Sequence, residues 1–356
     1  MRRLDLWRVL ESTPILSGVK AVWQEATGSE FPILEPFLKP TGDRASTYPC
    51  PEPGNDGCPR GVVIHSPDDI MAVCRRNPRS CESLKLAPDD IVIYKLDVPR
   101  LATHASAFFG LGGEGSPLAV AELGDTYYLG TYRPVAGLSF PAYLTIQHDR
   151  EDFSQTVERL VARDGRSFIL IAPTTDLLEP ACAEMMRTRS SLLLGMADFT
   201  MADKNGELTA EKPAEELLQS FRDSVINTAA TETKNGMLFF QTPPDATWSD
   251  VEIRFKDGYT VSIQVLDKRA VFNYTQMGMA SRKNAEPTRQ WKLLQSFAEQ
   301  HGVLTWDSSH ADRKNQKRRE LLARNLQTFF RIEKDPITLT EDGKGWKVLF
   351  SLHPES

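Results

Sequence analysis

Four of the five cysteines, Cys50, Cys58, Cys74 and Cys81, fall within 32 residues at C-x7-C-x15-C-x6-C spacing. Thiolates are soft ligands, and tetrahedral zinc takes four such donors at about 2.3 Å from the metal. Clustered cysteines in a chain expected to sit in a reducing compartment point to a metal site before a disulfide framework. Between them, "GVVIHSPDDIMAVC" reads as two short strands joined by Ser-Pro-Asp-Asp. Cys58 and Cys74 flank that hairpin, with Cys50 and Cys81 just outside it. His65 offers an imidazole that could replace one thiolate, and the role expected of the metal is structural. Cys182, in "PACAEMM", reads as a small buried hydrophobe on a helix.

A second concentration of chemistry lies near the C-terminal end. "RKNQKRRELLAR", residues 313–324, carries six basic side chains and one acidic one in a chain of formal charge −6. From Ser281 to Arg331, eleven Lys/Arg against five Asp/Glu give +6, which leaves −12 for the remainder of a chain at −6. One basic element on an acidic body favours a localised anionic partner, because repulsion elsewhere opposes general adhesion. On a helix at about 100° per residue, Leu322, Leu326 and Phe329 share one face, with Phe330 at its edge. Arg313, Lys317, Arg324 and Arg331 fall within about 40° of one another on the other side.

Other motifs carry less. "GLGGEG", Gly110–Gly115, matches the dinucleotide fingerprint letter for letter, but helix-like "LATHASAFF" precedes it and strand-like sequence follows. A phosphate cradle needs the reverse order, so the stretch reads as a turn. No Ser-x-x-Lys, nucleophile elbow, His-Glu-x-x-His or phosphate-binding Lys loop is present, and the six histidines are scattered. The expectation is a protein that is not an enzyme.

The elements that must position these residues divide the chain into an α+β multidomain arrangement. Residues 1–45 read as an N-terminal helical segment, amphipathic and interrupted by charges, not as a cleaved signal. Residues 46–148 form a β-rich region containing the cysteines. Residues 149–230 alternate helix and short apolar strand ("DREDFSQTVERLVARDG", "SFILIAP", "SSLLLGMADF"), implying a small α/β unit with parallel pairing. Residues 231–247 read as a linker, and 248–356 as the last domain. No apolar run reaches the roughly 18–20 residues that span a bilayer. A cytoplasmic location with no membrane partner follows as the expectation.

Two resemblances sharpen this outline. Residues 50–81 resemble a zinc ribbon with widened cysteine pairs, which implies one structural Zn2+ held by Cys50, Cys58, Cys74 and Cys81. Residues 250–353 run through leading strands, "TRQWKLLQSFAEQHG", "VLTW", a helical segment, the basic helix and a hairpin with Asp342-Gly343-Lys344-Gly345 at its tip, where Gly343-Lys344-Gly345-Trp346 matches a Gly-x-Gly-aromatic wing turn. That order resembles the winged helix-turn-helix output domain of bacterial response regulators. The resemblance implies a DNA-binding transcriptional regulator with its third helix in the major groove of double-stranded DNA. Arg313, Lys314, Lys317 and Arg324 are then candidate contacts, Asn315 and Gln316 candidate base readers, and Lys344 and Lys347 candidate backbone contacts from the wing. The middle unit vaguely resembles a receiver-like or Rossmann-like half and would take a small-molecule or protein partner. It lacks an acidic pair at a strand end for phosphorelay control. Competing readings are a nucleotide- or ligand-sensing effector enzyme on that unit, an RNA-binding module, and a protein-contact scaffold. No heptad or dimer helix indicates an oligomeric state.

Overall fold

The structure, a computed structural model, describes residues 4–13, 16–50, 59–111, 116–231, 238–281, 284–307 and 315–355. Helices and strands are mixed throughout, with antiparallel pairings predominating, in keeping with α+β organisation. Contacts divide the chain into two units. One comprises Met1–Tyr132 and Phe140–Phe221, the other Arg133–Ser139 and Arg222–Ser356.

The first unit opens with α1 (Leu6–Ser12), β1 (Ser17–Val19), α2 (Lys20–Thr27), the single turn α3 (Phe31–Leu34) and β2 (Leu38–Arg44). The expected helical segment over residues 1–45 is therefore broken by two strands. Gly28, at φ +55°, ends α2, and Pro32 and Pro36 keep the next helical turns short. Further on come β3 (Thr47–Tyr48), β4 (Arg60–Ser66), β5 (Asp69–Val73), β6 (Leu84–Leu86) and β7 (Val92–Leu96). The "VIY" of β7 favours a strand, and it takes β1 and β2 as antiparallel neighbours on either side. β3 to β6 form a separate antiparallel sheet in sequence order, and β4 and β5 are the hairpin the sequence predicts.

The chain continues through α4 (Val98–Phe108), β8 (Leu118–Ala119), β9 (Thr126–Val135), β10 (Leu138–Thr145), α5 (Arg150–Asp164), β11 (Ile169–Ala172), α6 (Pro180–Thr188) and β12 (Leu192–Gly195). The α/β unit takes shape here as a five-stranded sheet ordered β12-β11-β10-β9-β8, with β10, β11 and β12 parallel. α5 starts where Asp149 accepts the Asp152 amide at 2.8 Å and ends at Gly165 in the left-handed region. It buries Phe153, Val157 and Leu160, as its spacing predicts. The expected boundary at residue 148 moves, because β11 is buried throughout and needs a strand on each side; β10 supplies one from the preceding region. β12 is an edge strand, half-buried over most of its length, and gives way to α7 (Met196–Phe199) where an all-strand segment was expected. β13 (Thr200–Ala202) pairs with β14 (Leu208–Ala210), followed by α8 (Ala214–Leu217) and α9 (Gln219–Thr231). Among the described residues, no helix is long and apolar enough to cross a membrane.

In the second unit, the expected linker over residues 231–247 is corrected for its described part: Phe239, Phe240, Thr242 and Ala246 are buried. Two adjacent phenylalanines give this stretch too much apolar area to stay in water. β15 (Val251–Asp257), β16 (Thr260–Val265) and β17 (Lys268–Asn273) form a meander, then come α10 (Arg289–Glu299), β18 (Val303–Thr305), α11 (Asn315–Phe330), β19 (Ile337–Leu339), β20 (Gly345–Val348) and β21 (Ser351–His353). β21 returns parallel to β15, giving the order β17-β16-β15-β21, and β18-β20-β19 makes a smaller sheet. The core joins Trp248, Ile253, Ile263, Trp291, Phe297 and the apolar face of α11.

Candidate functional site

α11 divides lengthwise into two kinds of surface. From Leu322 onward, Leu322, Ala323, Leu326, Phe329 and Phe330 are buried, an amphipathic stripe. Phe329 meets Phe272 edge-on at 5.0 Å and Phe330 meets Trp248 edge-on at 5.5 Å. Toward the other end Gln316, Lys317, Glu320 and Leu321 are exposed, as is Arg324. Lys317 and Arg324, seven residues apart, lie within about 20° of each other and about 10 Å apart along the axis.

The structure redistributes the remaining cations. Arg319 donates to the Asp335 carboxylate and to the Ile337 carbonyl, tying the helix to the first strand of the hairpin. Arg331 leaves the expected basic face, because the helix ends there with φ +57°, and its guanidinium stacks 4.0 Å from the centre of the Phe239 ring. Asn315 begins α11. Arg313 and Lys314 lie outside the described residues, as does the helical segment expected just before the basic helix. Among the described residues, α10 and α11 are therefore the helices preceding the hairpin, with β18 between them.

The β19–β20 hairpin places Lys347 on β20, opposite Val303 and Thr338, and Lys344 in the turn; both are exposed. Asp342 shapes that turn by accepting the Thr340 hydroxyl at 2.7 Å and the Lys344 amide at 3.0 Å, and the two bonds lower its pKa. The Trp306 backbone amide donates to the Lys344 carbonyl at 2.8 Å and its indole N–H to Gly343 at 3.1 Å. Trp306 is 42% exposed but edge-on to Trp346 at 4.4 Å, so its ring is engaged as a brace. Gly345 is required by close approach, since a Cβ there would stand 2.6 Å from the Leu304 carbonyl oxygen.

The cysteines converge for a topological reason. β3 runs antiparallel to β4, β4 to β5 and β5 to β6, so the end of β3, the start of β4, the end of β5 and the start of β6 share one edge of the sheet. Cys50, Arg60, Cys74 and Cys81 occupy or adjoin those four positions. Cys50 Sγ lies 3.9 Å from Cys81 Sγ, and Cys81 also interacts with Cys74. The amides of Ser80 and Arg76 donate to Cys74 and pull its thiol down to about 6. Burial and the neighbouring sulfurs push Cys81 up to about 11. Arg60, fully buried, donates from Nε to Cys50 Sγ at 3.3 Å and from its terminal nitrogen to the Glu82 carbonyl. Sequence spacing gave no signal for this arginine. Cys58 lies outside the described residues, and His65 is exposed on β4. Among the described residues, no group of three or more His, Cys, Asp and Glu side chains is already disposed to hold a metal ion.

In the α/β sheet, ligands usually bind beyond the carboxyl ends of the parallel strands. Here α1 takes that place. Glu11 accepts the Thr174 amide at 2.9 Å and hydroxyl at 2.6 Å just after β11, and its carbonyl contacts His148 Nδ1 at 3.0 Å after β10. The Trp7 indole N–H donates to Thr200 Oγ at 2.7 Å. Of "GLGGEG", Gly112 to Gly115 lie outside the described residues; Gly110 follows α4 at φ +57° and β8 comes after. Cys182 is buried on α6 as expected.

No protein-family model matches the chain, and comparison with curated proteins and with solved structures gives no match.

Proposed function

We propose that the second unit binds double-stranded DNA through the exposed half of α11 and the β19–β20 hairpin, and that the protein is a DNA-binding regulator. The observation that carries this reading is the division of α11: its apolar C-terminal turns are fixed in the core while Gln316, Lys317 and Arg324 stand in solvent. A helix anchored at one end can enter a major groove with the other, and long cationic side chains reach phosphates and guanine edges from there. Arg319, engaged with the hairpin, holds helix and wing together and is not counted as a contact. Gln316 is a candidate base reader, and Lys344 and Lys347 suit phosphate contacts beside the groove. An RNA reading would call for aromatic faces free to stack on bases. Trp306, the exposed ring near the hairpin, spends its indole N–H on Gly343 and packs on Trp346, which favours the duplex reading.

The test is a titration of the full chain with a labelled random-sequence duplex at two salt concentrations, alongside Lys317→Glu/Arg324→Glu. Each lost phosphate contact should lower the salt slope by about one, so the double variant should lose about two and at least about tenfold in affinity. Equal affinities and equal slopes for the two proteins would remove α11 from DNA binding. A single-stranded oligonucleotide that binds as tightly as the duplex would favour the RNA-type reading instead.

A further inference from the structure

The crevice beyond β10 and β11, where a small-molecule partner is expected, is occupied by α1 of the same chain. Another concavity lies wholly within the second unit, between α9, the stretch before β15 and strand β17. Its volume is about 400 Å³, inside the range of about 300–1,000 Å³ that small-molecule sites take. Its floor is apolar: Ile226, Phe239 and Phe240 are buried and Phe272 is half-buried. The rings are held from behind. Phe240 lies 6.0 Å from Phe272, which meets Phe329 of α11 edge-on, and the Phe240 amide donates to the Phe329 carbonyl at 2.8 Å.

The rim has a different chemistry. It is exposed and polar, with Asn227 and Gln241 set beside Lys268 and Arg269 of β17. Lys268 pairs with Asp267 at 3.3 Å, and Arg269 Nε donates to the Ser262 hydroxyl at 3.3 Å. The Asp267 side chain is 74% exposed, so that ion pair is screened by water and holds Lys268 weakly. Among the described residues that line the cavity there is no carboxylate. In a chain of formal charge −6, two cations and no acid around one mouth set the sign of the ligand it suits.

We propose that this cavity binds a small amphipathic anion, an aromatic or alkyl carboxylate. Its carbon body lies against Phe239, Phe240 and Phe272, and its charged end turns toward Lys268 and Arg269. Phe240 and Phe272 both touch Phe329, so occupancy bears directly on the anchored end of α11. The proposal does not depend on DNA binding, and its test contains no nucleic acid.

The experiment is equilibrium dialysis of the full chain against 2-naphthoate and, separately, 2-naphthamide, the same rings without the charge. Saturation at about one naphthoate per chain is expected, with the amide about tenfold weaker. Lys268→Glu/Arg269→Glu should weaken naphthoate at least about tenfold and leave the amide unchanged. Ala270→Phe, which adds a ring on the Phe272 side of β17 where Ala270 lines the cavity, should lose both ligands. Should that variant fail to fold, the rim double variant, altered only at exposed side chains, decides. No saturable naphthoate binding, an amide that binds as tightly as the acid, or a double variant that still prefers the acid would overturn the proposal. Undiminished binding by a folded Ala270→Phe protein would put the ligand elsewhere and overturn it equally.

Discussion

Glu11 holds a carboxylate where water is scarce. Burial raises its pKa, and the two hydrogen bonds from Thr174 only partly oppose that shift. The sign follows from proton linkage. A carboxyl with a raised native pKa binds its proton more tightly when folded, so stability falls as pH rises from the ordinary value of about 4.3 through the native one. Glu11→Gln keeps an acceptor for Thr174 and removes the titration. The melting temperature of the unaltered protein should therefore drop relative to the variant between about pH 4 and pH 7; a constant difference across that range would refute the linkage. Residues in α11 show how far sequence reaches at this scale. Lys317 and Arg324 are exposed as helical spacing predicts, because that prediction needs only the helix. Arg319 and Arg331 escaped it because their partners, Asp335 and Phe239, come from other elements. Arg60 is a similar case: its burial depends on the register that sets it opposite Tyr48.

Among elements, the hairpin offers a sharp comparison between two glycines two positions apart. Gly343 has φ +66° and open space around it, so Gly343→Ala meets only backbone strain, about 1–2 kcal/mol. Gly345→Ala places a methyl 2.6 Å from the Leu304 carbonyl oxygen and must separate β20 from β18. Amide exchange at Trp306 and Val348, whose amides donate across β18 and β20 to Lys344 and Gly302, should rise far more in Gly345→Ala than in Gly343→Ala, and the larger fall in melting temperature should go with it. Equal effects would mean that the β18–β20 contact does not organise the hairpin. Elements with local signals were legible in the sequence: the Asp149 cap, the Gly165 stop and the 3.6-residue spacing define α5 without outside help. β1 and β2 were not, since they become strands by pairing with β7, many residues downstream. The half-buried edge position of β12 was not legible either, because an apolar run does not reveal whether a strand lies at a sheet edge.

At the scale of the whole molecule, the β9–β10 tip belongs to the unit that contains the last third of the chain. Val135 and Leu138 from that tip pack with Ile226, Ala229 and Phe239, and the Ala136 amide donates to the Thr242 carbonyl at 2.8 Å. A fragment beginning at Arg222 leaves those apolar groups uncovered, of which Ile226 and Phe239 are each worth about 1.5–3 kcal/mol when fully buried. It should bind a hydrophobic dye and unfold at lower denaturant than the same unit in the full chain; coincident midpoints would show that the tip adds nothing. Domain borders drawn from composition placed all of the last domain after residue 247, since nothing in "YRPVAGLS" advertises a partner a hundred residues away. The backbone passes between the units three times, after Tyr132, Ser139 and Phe221. Severing the peptide after Phe221 therefore does not free the carboxyl-terminal part, which keeps hold of a finger still joined at both its ends to the rest. Each unit is built from two separate stretches of the chain, so neither could be gained or lost as a simple appendage.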